Sequence, residues 1–155
     1  MSKLLEGKVA VIYGGGGAIG GGVARTFARE GARVFLAGRT RNTLEAVAKE
    51  ITASGGQVDI AVLDALDETA VDSQVRDVVA KAGSLDVSFN LINRGDVQGT
   101  PLVEMTTDDL LRAVVNGLQS NFVTARAAAR IRPGQRVDGR LSPAAQGRLR
   151  GCTGR

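Results

Sequence analysis

Short apolar runs alternate with amphipathic stretches over most of this chain. Lys8–Tyr13 (KVAVIY), Arg33–Ala37 (RVFLA), Val58–Leu63 (VDIAVL) and Asp86–Ile92 (DVSFNLI) are brief and rich in β-branched or apolar residues. Such runs mark strands buried on both faces. Between them the apolar residues fall at helical spacing. Thr40–Ala53 carries Leu44, Val47, Ala48 and Ile51, with Asn42 and Glu45 spaced as a capping box. Asp67–Ala82 repeats the pattern through Val71, Val75, Val78 and Ala82, and Gly31, Gly55 and Gly83 stand where helices should stop. Ile19, Val23 and Phe27 outline an earlier helix. Thr106 opens a last one, whose Leu110, Leu111, Val114, Val115, Leu118 and Phe122 form a broad apolar face.

Strand and helix in strict alternation imply parallel pairing through right-handed crossovers, with helices on both faces. The expected fold class is α/β, a Rossmann-type doubly wound parallel sheet in three αβα layers, with four strands and four helices in one domain over residues 1–130. From 131 to 155 the sequence turns to Arg, Gly, Pro and Ala with neither apolar period, and reads as a disordered tail.

The net charge of +4 and pI near 9.8 shift the picture only in that tail. From Met1 to Ala125 acids outnumber basic residues, whereas from Arg126 onward eight arginines face Asp138 alone. The body is mildly acidic and only 3% of residues are aromatic, so it offers nucleic acid neither a basic face nor a stacking platform. No apolar run of about 18 residues occurs, and MSKLLEGK lacks the apolar stretch of a secretory leader, so membrane insertion and export are not expected and the cytoplasm is. One cysteine, Cys152, and no histidine leave metal chemistry without its usual ligands.

The first apolar run ends in Gly14–Gly22, where seven of nine residues are glycine. Glycines between a strand and a helix permit a tight turn and let backbone N–H groups approach an anion, at a helix end that carries unpaired donors and partial positive charge. A dinucleotide pyrophosphate suits that layout. Two registers fit: Gly15-x-Gly17-x-x-Gly20, the general fingerprint, and Tyr13-Gly14-x-x-x-Ala18-Ile19-Gly20. The second resembles the TGxxxGIG turn of the short-chain dehydrogenase/reductase family, with Tyr13 in place of threonine and Ala18 in place of the middle glycine.

That resemblance covers roughly Glu6 to Arg130 and implies a set of cofactor residues: Gly14, Gly16, Gly17, Ala18, Ile19 and Gly20 in the turn. In Ala37-Gly38-Arg39, an arginine stands where NAD-preferring members carry an acid. Arg39, with Arg41 nearby, would grip a ribose 2′-phosphate, which implies NADP(H) in preference to NAD(H). Asp64 matches the carboxylate that accepts from the adenine amino group. Where the family reads Asn-Asn-Ala-Gly, this chain reads Asn90-Leu91-Ile92-Asn93, so only Asn90 matches. Val115-Asn116-Gly117 resembles the position of the catalytic asparagine, which holds a water in the proton relay. The family reaction moves a hydride between the nicotinamide and a small carbonyl or alcohol substrate.

The same resemblance calls for a serine and a Tyr-x-x-x-Lys motif after the helix that ends near Arg130. The only tyrosine is Tyr13 and the last lysine is Lys81. The expectation is therefore the cofactor-binding part of an oxidoreductase, truncated or read out of frame near Arg130 and inactive alone. Its fourth strand would lie at a sheet edge with Val87, Phe89 and Leu91 uncovered, which favours association, including with a second copy. Two other readings share these residues: a protein that binds NADP(H) without turnover, and an interaction module with an empty turn. Arg94-Gly95-Asp96 spells a cell-attachment tripeptide, set aside for want of an export signal.

Overall fold

The computed structural model describes residues 3–131. The tail expected over 131–155, with Cys152, lies outside them apart from Ile131. Four strands, β1 (Val9–Tyr13), β2 (Arg33–Gly38), β3 (Gln57–Val62) and β4 (Val87–Asn90), alternate with α1 (Ala18–Arg29), α2 (Arg41–Ala53), α3 (Glu68–Ala82) and α4 (Thr107–Arg130). A single 3₁₀ turn, Leu102–Glu104, precedes α4. The sheet is parallel with order β3-β2-β1-β4, so the chain reverses direction of travel between β1 and β4. This is the α/β, Rossmann-type arrangement that the alternating pattern predicts.

β1 is buried along its whole length, and its residues feed two cores in alternation. Val9, Val11 and Tyr13 join Phe35, Ala37 and the α3 residues Val71, Val75 and Val78 on one face. Ile12 joins Val34, Leu36, Ala24, Leu44, Val47 and Ile51 beneath α1 and α2 on the other. Gly31, Gly55 and Gly83 all take positive φ after helices, as their positions predict.

Three local expectations give way to polar side chains or to packing. The fourth strand is shorter than Asp86–Ile92: backbone bonds to β1 still run from Asp86 N to Val9 O and from Leu91 N to Tyr13 O, both at 2.9 Å, but beside them side chains take up Val9 N (Asp86 Oδ2, 2.9 Å) and Ile92 N (Asn90 Oδ1, 3.1 Å). Asn42 and Glu45 form no capping box. α2 starts at Arg41 from an N-cap Thr40 without a side-chain cap bond, which puts Asn42 inside the helix and pairs Glu45 with Arg41. A capping box forms instead between Thr106 and Asp109. In α1, Gly20, Gly21, Ala24 and Ala28 face the core while Ile19 is 72% exposed.

α4 lies with its small residues inward. Gly117, Ser120, Val123, Thr124 and Ala127 are buried, while the broad apolar face from Leu110 to Phe122 points away from the sheet. Small side chains let the helix approach closely, and Arg126–Glu68 and Arg130–Asp72 ion pairs tie it to α3. β4 stands at the sheet edge among the described residues, with Phe89 37% exposed, as the strand order expected from sequence requires.

Candidate functional site

The turn after β1 is built so that backbone, not side chains, forms its surface. Gly14 takes φ 79°, and its N–H and that of Gly15 both donate to the Ala37 carbonyl, at 2.8 and 3.2 Å, which pins the turn to the end of β2. A Cβ on Gly14 would lie 2.5 Å from the Leu91 carbonyl oxygen, and one on Gly20 would overlap the carbonyl oxygen of Gly14 itself. The two glycines pressed between backbones are thus the ends of the Gly14-x-x-x-Ala18-Ile19-Gly20 register. Gly17 has more room, meeting only Gly14 O at 3.4 Å.

Gly17 is the N-cap of α1, with no side-chain cap bond and no acid in the first turn. The N–H groups of Ala18, Ile19 and Gly20 have no intrahelical acceptor by construction, so the helix presents unpaired donors and its positive end. This open end sits beside a cleft of about 360 Å³ at the C-terminal ends of the strands. Gly14, Gly16 and Gly17 form one wall, Arg39, Thr40 and Thr43 the second, and Asp64, Ala65 and Leu66 the third, with Leu91, Ile92, Asn93 and Asn116 closing it.

Of the predicted residues, this cleft brings together Gly14, Gly16, Gly17, Arg39, Asp64 and Asn116. Arg39 is exposed at its rim and has no ion-pair partner among the described residues. Arg41 does not line the cleft and pairs with Glu45 at 3.5 Å. Asp64 is half-buried, and its Oδ1 accepts from Leu66 N at 3.0 Å, which fixes the carboxylate at the end of β3. Thr40 and Thr43 were not among the predicted residues. They share the rim with Arg39 because α2 begins there, and Thr43 Oγ1 donates to the Thr40 carbonyl at 2.9 Å.

A second groove of about 670 Å³ continues across the other side of the turn. Ala18, Ile19 and Gly20 line it opposite Asn90, Arg94, Asp96, Gln98, Ser120 and Asn121, and Gly14 and Gly17 belong to both depressions. Together they run over the β1/β4 switch point, where open parallel sheets hold ligands. Asn90 is anchored to the scaffold: its Nδ2 lies 3.1 Å from Ser120 Oγ and 3.2 Å from Asn121 Oδ1. Asn116 Nδ2 donates to the Arg94 carbonyl at 3.1 Å, and the residue lines the first cleft. Ser120 and Asn121 had no signal in the sequence, since only the packing of α4 on β4 brings them to Asn90.

The phenol of Tyr13 is 1% exposed and its oxygen has no hydrogen-bond partner among the described residues. Burial, with a smaller contribution from the Asp72 charge, holds its pKa far above that of a free phenol. It is a core residue and unsuited to carrying protons. No helix among the described residues is long and apolar enough to cross a membrane.

Comparison with known proteins agrees with this geometry. The family model described as short chain dehydrogenase matches residues 8–140. The chain is 36% identical over 136 residues to tropinone reductase-like 2 of Erythroxylum coca, covering 86% of this chain and 48% of that one. It is 37% identical over 112 residues to a 3-oxoacyl-acyl-carrier-protein reductase of Thermotoga maritima, covering 72% and 44%. Among solved structures, a dehydrogenase/reductase from Sinorhizobium meliloti 1021 superposes with TM-score 0.74 at 32% identity, over 84% of this chain and 51% of that one. A metagenomic short-chain oxidoreductase in complex with NADP gives 0.72 at 32% identity, over 81% and 57%. The chain spans about half the length of the curated relatives it matches.

Proposed function

The chain belongs to the short-chain dehydrogenase/reductase family, and from that membership we propose that it is a binding unit for NADP(H), in preference to NAD(H), within an oxidoreductase of carbonyl and alcohol compounds. One observation carries the reading: a backbone-lined turn with an open helix end shares its cleft with Arg39, a cation without a partner among the described residues and with no acid beside it at the end of β2. The residues present fit the group. Gly14, Gly16 and Gly17, with the N–H groups of Ala18, Ile19 and Gly20, would hold the pyrophosphate. Arg39, with the Thr40 and Thr43 hydroxyls, would hold the 2′-phosphate, and Asp64 the adenine edge. Ala18 adds one methyl at the mouth of the turn.

When bound, the nicotinamide supplies the hydride. This chain's residues orient it: Asn90 stitches β4 to α4 and so sets the floor of the second groove. Asn116, which lines the first cleft, would hold a water through its side-chain oxygen. The proton donor of the family pattern, Tyr-x-x-x-Lys with its serine, is not in this sequence, and the buried Tyr13 does not replace it. Turnover by this chain alone is therefore not expected. We take its compartment to be the cytoplasm, with neither nucleic acid nor membrane as partner.

The outward apolar face of α4 favours pairing with a second copy of the chain, since six large apolar side chains along one helix exceed what scattered surface residues present. The test of the main reading is titration of the folded chain with NADPH and NADH, followed by enhancement of cofactor fluorescence and by melting temperature. NADPH binding tighter than NADH is the expected result; indifference to both overturns it.

A further inference from the structure

Arg94 belongs to the Arg94-Gly95-Asp96 tripeptide, which cofactor binding leaves without a role. The peptide that follows it is held at both of its polar atoms. The Asn116 amide donates to its carbonyl at 3.1 Å, and the next N–H, of Gly95, donates to Asn93 Oδ1 at 2.7 Å, with Gly95 at φ 80°. Its stem crosses α4 at Gly117, where a Cβ would lie 2.7 Å from Arg94 Cδ and touch nothing else but the same side chain. Glycine in the middle of a helix is unfavourable relative to alanine. Gly117 gives α4 no evident benefit of its own; what it provides is room for that arginine.

So seated, Arg94 lines the groove beside the turn but not the cleft that holds Arg39. Its ion-pair partner is Asp96, at 3.6 Å in a half-exposed contact of a kind that contributes little. Most of the five guanidinium donors stay free. A carboxylate or phosphate can engage two of them at once, which Asp96 does not. A neutral molecule covering this group would only desolvate it, whereas an anion offsets that cost.

Resting on the assignment of the adjoining cleft to NADP(H), we propose that Arg94 binds an anionic group of the substrate, so that the groove takes carbonyl or alcohol compounds bearing a carboxylate or phosphate. Asn116 and Gly117 act as positioning residues for it, and Asp96 as a competing internal anion.

Calorimetric titration of the NADPH-saturated full chain tests this, with acetoacetate and dihydroxyacetone phosphate as anionic probes and acetylacetone as the neutral one. At least one anionic probe should bind more tightly than acetylacetone, and which one binds separates carboxylate from phosphate. Arg94→Met should weaken that probe by roughly tenfold or more. Asp96→Asn should strengthen it, and Gly117→Ala should weaken it without lowering the melting temperature. NADPH affinity should be unchanged in all three. The proposal is overturned if neither anionic probe binds, if acetylacetone binds as well, if probe affinity ignores both Arg94→Met and Asp96→Asn, or if Arg94→Met costs NADPH as much as the probe. Failure of the unsubstituted chain to bind NADPH would instead remove the cofactor assignment, and this proposal with it.

Discussion

The carbonyl oxygen of Gly14 occupies the space that a side chain on Gly20 would need. The turn and the first helical turn of α1 are thus in backbone contact, and that closeness brings the free N–H groups over the cleft. Gly14→Ala combines a left-handed φ with a clash against Leu91, a cost of about 1–3 kcal/mol or more, and should abolish NADPH binding. Gly17→Ala, which meets only an ordinary contact, should retain it. Melting curves and NADPH titrations of the two variants make the comparison; equal losses would contradict it.

Arg39 has no ion-pair partner to lose among the described residues. Arg39→Asp should leave the melting temperature of the ligand-free chain nearly unchanged, weaken NADPH by roughly 10–100-fold, and narrow or reverse the preference over NADH, as charge-assisted hydrogen bonds typically count. A uniform loss of both cofactors would place the residue elsewhere in the site.

Tyr13 carries a buried hydroxyl without a partner among the described residues. Removing an unsatisfied group while keeping the ring should stabilise the fold by about 1 kcal/mol. Tyr13→Phe is therefore expected to raise the melting temperature by a few degrees. A fall would mean that the phenol has a partner in solution.

Asp86 ties the start of β4 to β1. The backbone N–H of Val9 and the Lys8 ammonium hold its pKa below the usual carboxylate value, although partial burial opposes them. A depressed carboxylate stabilises the fold at neutral pH, and the contribution is lost as the pH falls through and below the ordinary aspartate range. Stability measured from pH 7 downward should decline less steeply in Asp86→Asn, which starts lower. Parallel curves would assign the acid sensitivity to other groups.

Leu118 is 69% exposed at the centre of the outward stripe of α4. Leu118→Lys should leave the secondary structure intact and shift the sedimentation of any dimer to monomer. Unchanged sedimentation would mean that association, if present, uses another surface.

Much of this was legible in the residues. Continuous apolar runs, buried on both faces, made β1 and β2 readable, and glycines at helix ends set the boundaries. In α4 the broad apolar face read from the sequence marks the outside, while the inward side is spelled in Gly, Ser, Thr and Ala, which no pattern in the sequence singles out. That inversion follows from close approach to β4 and α3, a tertiary demand that no single-helix pattern states. The cleft was legible where its residues are contiguous, as in the turn, or end a strand, as with Arg39 and Asp64. Thr43 and the Asn90 partners Ser120 and Asn121 were not, because each reaches the site through packing between segments distant in the chain.

Gly14 and Gly17 face both depressions. The two halves of any ligand that spans the switch point therefore share one stretch of main chain as common ground. Retuning either half by substitution is open only at the outer banks, near Arg39 on one side and Arg94 on the other. A change that shifts the backbone of the shared bank, as at Gly14, alters both halves together, so new specificities should arise by exchange of those outer residues while the central turn stays as it is.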